Sequence, residues 1–299
     1  MHTSMAHART SLKIPIKMAP VFGNVGRAAR SLFDIGYDVL DGFRLDVNTY
    51  KKLGISAGGI QRLESGDVVT SYFETRYTLN KFNCLIFLAE RWTMNHNMTT
   101  EATIVGLLPG FTLTTSGIFD CQNHSKGVDV KTEYKNDHVS LILDTKFKEF
   151  KPIIHASAVA SYNGLWGGFH VKYNANQKVL KYSNLSLSYK AGKFVLTTAV
   201  NDKNLFSGSI INKCSKRLNV GLHVIWSSIN HGCLISVGSK YQFNKAVKLR
   251  AKIVNVDQLY LGSEIQVKKG VKLTFASLFV CRQFNLTDHT FGIGLELNL

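Results

Sequence analysis

The stretch VDVKTEYKNDHVSLILDTKF, residues 128–147, sets the rhythm on which the fold is read. Val128, Val130, Thr132 and Tyr134 alternate with Asp129, Lys131, Glu133 and Lys135. After Asn136-Asp137, Val139, Leu141, Leu143, Thr145 and Phe147 alternate with Ser140, Ile142, Asp144 and Lys146. Successive side chains of an extended chain point to opposite faces. Each run is therefore a strand with one apolar and one polar row, and Asn136-Asp137 is the turn between them.

The same period of two recurs in LSLSYK (185–190), LNVGLHVIW (218–226) and VKLTF (271–275). Turn signals separate such runs: Ala191-Gly192, Asn201-Asp202, Asn230-His231-Gly232 and Lys269-Gly270. Between residue 44 and the end, roughly eighteen to twenty strands fit, at about 13 residues for each strand and its turn. No linker or change of composition interrupts them. Only Pro109 and Pro152 fall after residue 20, which suits many paired strands, because proline removes a ladder donor.

Hydrophobic residues make up 45% of the 299, so the chain is not disordered. No run of 18 apolar residues exists, which excludes a readable transmembrane helix but not a membrane barrel, whose strands alternate. Lys and Arg exceed Asp and Glu by a formal +16, spread along the chain. That field attracts anions in general, and no nucleic-acid-binding motif accompanies it. Five isolated cysteines without a CxxC pair fit a reducing compartment. Nothing points to an enzyme or a cofactor. The ten histidines lack metal-ligand spacing, and no GxGxxG, P-loop, GxSxG or HExxH occurs.

The first 33 residues contain no Asp or Glu. That is the composition of a mitochondrial presequence, although a retained extension or a start at Met18 fits better with the helical pattern that begins at residue 22. Within FGNVGRAARSLF (22–33), Val25, Ala29 and Leu32 share one helical face, with Arg27 and Arg30 off it. The expectation is one short basic amphipathic helix stopped by Gly36. The domain reading is an extension over 1–18, helix and hinge over 19–43, and strands over 44–299.

Both a soluble β-sandwich and a membrane barrel alternate. A single sheet of some nineteen strands is too wide to fill its own interior, so closure leaves an aqueous channel. The polar rows then face water and the apolar rows face lipid, with Trp92, Trp226 and Tyr260 as candidates for an interfacial girdle. In IFLAERW (86–92), Ile86, Leu88, Glu90 and Trp92 form one row, which puts a carboxylate among lipid-facing residues.

The segments AVNDKNLFSGSI (199–210), SKYQFNKAVKLRAKIVNV (239–256), KGVKLTFASLF (269–279), HTFGIGLEL (289–297) and VGRAARSLFDIGY (25–37), with FETRY (73–77) and AERW (89–92), resemble the voltage-dependent anion channels, the mitochondrial porins. The likeness runs from about Met18 to Leu299. The family is known for an odd number of strands, nineteen, so that number rests on the resemblance. The resemblance implies an all-β transmembrane barrel with an N-terminal amphipathic helix in the pore. It implies a channel for passive diffusion in the mitochondrial outer membrane, open to voltage gating, with membrane lipid as partner and anions and small hydrophilic metabolites including nucleotides as permeants. It also admits a homo-oligomer in the membrane. A protein-translocase barrel of the same superfamily and a soluble binding module are the competing readings.

The resemblance further marks Glu90 as a membrane-facing titratable group, and Arg27 and Arg30 as pore-helix contacts for anions and nucleotides. Polar parity makes Lys131, Lys146, Lys190, Lys252 and Lys272 pore-lining. The last strand carries a sorting signal of the family type in Thr290, Gly292, Ile293, Leu295 and Leu297. Departures accompany these matches. Thr112, in Gly110-Phe111-Thr112, and Ile35 stand where the family often has lysine, and the hinge after Gly36 reads Tyr37-Asp38-Val39-Leu40. They put helix mobility, voltage gating and strong nucleotide binding in question and mark a divergent member.

Overall fold

The computed structural model describes residues 19–49, 53–62, 69–81, 84–148, 151–201, 204–229, 231–281 and 289–299. The expected extension over 1–18, together with Asp202 and Asn230 of the expected turns, lies outside them. Nineteen strands make one closed sheet. In order they are β1 (Gly42–Asn48), β2 (Leu53–Arg62), β3 (Val69–Lys81), β4 (Cys84–Thr93), β5 (Asn97–Val105), β6 (Phe111–Asp120), β7 (Ser125–Lys135), β8 (Val139–Lys148), β9 (Lys151–Tyr162) and β10 (Leu165–Asn174). There follow β11 (Val179–Ala191), β12 (Phe194–Asn201), β13 (Leu205–Lys213), β14 (Leu218–Ser227), β15 (Cys233–Gln242), β16 (Val247–Val254), β17 (Gln258–Lys268), β18 (Val271–Val280) and β19 (Thr290–Asn298).

Each strand pairs antiparallel with its sequence neighbour, and the barrel closes through one parallel pair, β1 with β19. An odd strand number requires this, because alternation of direction leaves first and last strands pointing the same way. Asn48 Nδ2 donates to Asn298 Oδ1 at 3.2 Å across the closing seam, and Leu299 N to the Asn48 carbonyl at 2.8 Å. Closure leaves no free sheet edge, which satisfies the backbone in lipid. A soluble sandwich is thereby overturned.

The N-terminal segment identifies the inner face. A 3₁₀ turn, Phe22–Asn24, precedes helix α1, Arg27–Phe33. The continuous helix expected over 22–33 is broken at Gly26, which sits at φ 75° in the left-handed region where glycine carries no steric penalty. Leu32 and Phe33 are buried and lie over Gly221 of β14 and Gly238 of β15. Those glycines belong to the polar rows, so the helix is inside.

Register carries this parity around the barrel. Ser140, Ile142, Asp144 and Lys146 of β8 point inward, whereas Leu141, Leu143 and Phe147 are exposed on the outside. Trp92 and Trp226 are outward and exposed. Tyr260 is not part of a girdle. It pairs opposite Lys252 on the inner face and meets Tyr37 ring to ring at 5.9 Å, because its row also holds Gln258, Gly262 and Glu264.

Candidate functional site

Residues 19–41 run along the inner wall from the β7–β8 turn to β19. Ala19 N donates to the Asn136 carbonyl at 2.9 Å. Phe22 lies 5.6 Å from the His170 ring on β10. Leu32 and Phe33 form an apolar cluster with Val195 of β12 and Ile211 of β13, flanked by Ala28 and Ala29. Tyr37 rests on Gly262 of β17, and Val39 on Gly292 and Gly294 of β19. A side chain at 221, 238, 262, 292 or 294 would collide with this segment. Inward glycines thus clear a lane in which it is seated.

Two basic side chains hold the end of α1. Arg250 Nη1 donates to the Ser31 carbonyl at 2.6 Å and Lys252 Nζ to the Phe33 carbonyl at 2.8 Å. Carbonyls in the last turn of a helix lack intrahelical partners, so these cations satisfy them. Arg250 also pairs with Glu264 at 2.5 Å, and Lys252 lies over the rings of Tyr37 and Tyr260 at 4.9 and 4.2 Å. The Tyr37 hydroxyl is buried and has no hydrogen-bond partner among the described residues. Burial pushes its pKa up to about 12, with Arg250 nearby acting in the opposite direction.

Beside the helix, Arg27, Lys190, Lys213 and Lys240 line one cavity of about 450 Å³, together with Asn24, Ser31, Ser188 and Asn219. Among the described residues none of these four cations is ion-paired. The cause is visible in the sequence. From 151 to 256 there are fifteen Lys and Arg but one acid, Asp202. The inner rows of β9 through β16 accordingly hold no carboxylate. The cations are dispersed along the chain, as expected, but the acids are not, and that gathers the unbalanced charge on one wall. Lys213 and Lys240 escaped the reading of strand parity; the acid-free interval was the signal that marks them.

The other expected lining residues all face inward but differ in company. Lys131 pairs with Glu133 at 2.5 Å, Lys146 lies 3.6 Å from Asp129 and 3.8 Å from Asp144, and Lys272 pairs with Glu296 at 2.6 Å. Lys252 is committed to the helix. Arg30 donates to the Gly23 carbonyl, while Arg27 and Arg30 both remain exposed to the lumen. Ile35 is also exposed there, and Thr112 faces inward opposite Glu133.

Glu90 stands on the outer face between Thr75 of β3 and Thr100 of β5, and Trp92 Nε1 donates to its Oε1 at 3.2 Å. On β19, Ile293, Leu295 and Leu297 point outward, and Thr290 and Gly292 inward.

A family profile described as eukaryotic porin matches residues 18–292. The voltage-dependent anion-selective channel of Drosophila melanogaster is 34% identical over 281 residues, covering 93% of this chain and 98% of that protein. The non-selective voltage-gated ion channel VDAC2 of Xenopus laevis is 31% identical over 284 residues, at the same two coverages. VDAC1 of Homo sapiens, a non-selective voltage-gated ion channel by name, is 30% identical over 283 residues, again covering 93% and 98%. A solved mutant of Rh. blastica porin is similar in fold, with a TM-score of 0.50 at 12% identity, covering 81% of this chain and 99% of that one.

Proposed function

This chain belongs to the eukaryotic porin family, and from that premise we propose that it is a passive, anion-preferring diffusion channel of the mitochondrial outer membrane. The observation that carries the preference is this wall, where Arg27, Lys190, Lys213 and Lys240 line one cavity beside α1 and none is ion-paired among the described residues. A row of unpaired cations in a water-filled passage raises the local concentration of anions and lowers that of cations. Lys131, Lys146 and Lys272 add less, because each has a carboxylate beside it.

Inorganic anions and nucleotides are the proposed permeants. Guanidinium and ammonium groups suit phosphate oxygens, and the absence of lysine at Ile35 and Thr112 favours passage over tight retention. Arg27 is the helix residue we assign to anion contact; Arg30, partly engaged by Gly23, is secondary. Glu90 is proposed as a lipid-exposed titratable group that governs contacts with membrane partners, other copies of the barrel included. Thr290, Gly292, Ile293, Leu295 and Leu297 are proposed as the signal read during insertion.

The experiment is a planar bilayer holding the purified protein under a salt gradient. A reversal potential on the anion side is expected. In the variant Arg27→Glu, Lys190→Glu, Lys213→Glu, Lys240→Glu it should move to the cation side. An unshifted potential in that variant would remove the wall from the explanation, and absence of any conductance would remove the channel itself.

A further inference from the structure

We propose that the turns joining β11–β12, β13–β14, β15–β16 and β17–β18 form a docking rim for anionic phospholipid headgroups. These four turns lie on one rim of the barrel, since each joins an odd strand to the next even one. Lys193, Lys216, Arg217, Lys245, Lys268 and Lys269 are all exposed there. None is ion-paired among the described residues, and no acid occurs within the four turns. On the opposite rim, the described turn residues between β10 and β17 carry one cation, Lys178, and one anion, Asp257. The charge is therefore a property of one end of one sector.

Exposed aromatic rings set the level of these cations. Phe194 follows Lys193 directly and points outward, and Tyr241 and Phe243, in ring contact at 6.4 Å, precede Lys245. Outward aromatics at strand ends of a membrane barrel sit at headgroup depth. Cations one or two residues further on then project into the phosphate layer. That position favours lipid phosphate over a soluble acidic protein, and juxtamembrane Lys and Arg are attracted to anionic leaflets. The inference rests on the barrel spanning a bilayer, not on its conducting anions.

The test reconstitutes the full chain in phosphatidylcholine bilayers and compares spin-labelled phosphatidylglycerol with spin-labelled phosphatidylcholine at the protein boundary. A several-fold preference for the anionic label is expected, falling toward unity as salt rises to about 1 M, where screening is short-ranged. Neutralising the six cations (K193Q, K216Q, R217Q, K245Q, K268Q, K269Q) should abolish the preference, while K178Q on the other rim leaves it intact. Conductance measured on the same samples keeps a failure here separate from a failure of the channel reading. Two results would overturn the inference. One is no preference in the unmodified protein, a measurement that does not depend on any variant folding. The other is a six-site variant that keeps its lipid preference but loses binding of a polyglutamate peptide, which would assign the rim to an acidic protein.

Discussion

At position 292 one methyl group decides whether the N-terminal segment has a place to lie. A Cβ there would stand 1.6 Å from the Val39 carbonyl oxygen, so backbone must move. Gly292→Ala should lower stability by about 1–3 kcal/mol, the usual range for overpacking, in thermal melts of refolded protein. Gly208→Ala, which meets nothing within 4 Å, should change it by less than about 0.5 kcal/mol. Gly292 was legible as a letter of a terminal motif, but its steric duty was not, because Val39 is remote in sequence. Refolding and insertion separate the two roles, since a sorting defect would leave the melt unchanged. Tyr37 offers a second check. Its folded value, about 12, lies above the ordinary 10.0, so the phenol's contribution is complete below pH 10 and is lost as pH rises toward 12. The segment should loosen over that window by on the order of 2 kcal/mol, seen as delayed tyrosinate absorbance. Tyr37→Phe should remove the dependence and, by deleting a buried hydroxyl that lacks a partner among the described residues, leave neutral-pH stability equal or higher.

The next scale is the element, where α1 illustrates how far periodicity reaches. The apolar face of Val25, Ala29 and Leu32 was readable, and Val25 and Leu32 are indeed buried. The break at Gly26 was not, because glycine in a helical pattern signals either a weak point or a turn. The clamp from Arg250 and Lys252 was not readable either. Those residues look like any alternating strand cations until the fold brings them to the Ser31 and Phe33 carbonyls. Tyr260 differs in kind: its polar neighbours Gln258 and Glu264 mark its row as inward, and an aromatic ring alone does not place a residue at the membrane interface. Seated in a glycine lane, with Val39 in the hinge and Asp38 paired to Arg44 at 2.8 Å, this segment has little freedom. The unmodified channel should therefore stay open across voltages at which the variant Val39→Gly, Arg250→Gln, Lys252→Gln enters lower-conductance states. Single-channel recording reads this directly, and equal voltage response in both would mean that the clamp does not restrain gating.

Across the whole molecule, alternation, turn spacing and scarce proline were enough to give strands, their parity at β7, β8, β11, β14 and β18, and one uninterrupted sheet. A count of roughly eighteen to twenty strands left a soluble sandwich open; closure and the number nineteen came with the family resemblance, and the parallel seam follows from that number being odd. What alternation could not give was the distribution of field within the lumen, because strand parity says which way a lysine points but not whether a carboxylate stands opposite. Around β7 and β8, cations face Glu133, Asp129 and Asp144; from β9 to β16, Glu264 of β17 pairs with Lys248 and Arg250, and Arg27, Lys190, Lys213 and Lys240 have no ion-pair partner among the described residues. Two walls of one pore thus differ in how they respond to salt. A paired wall presents near-zero field at any ionic strength, whereas an unpaired wall acts through a distance set by the Debye length, about 8 Å at physiological salt and about 3 Å at 1 M. If selectivity comes from the unpaired wall, the anion-to-cation permeability ratio should fall steadily toward the ratio of bulk mobilities as salt rises between those limits. The charge-reversed variant at Arg27, Lys190, Lys213 and Lys240 should converge on the same limit from the cation side. Reversal potentials taken at a fixed gradient ratio over that range measure both curves. A ratio independent of salt would place selectivity in direct contact at a narrow site rather than in the wall.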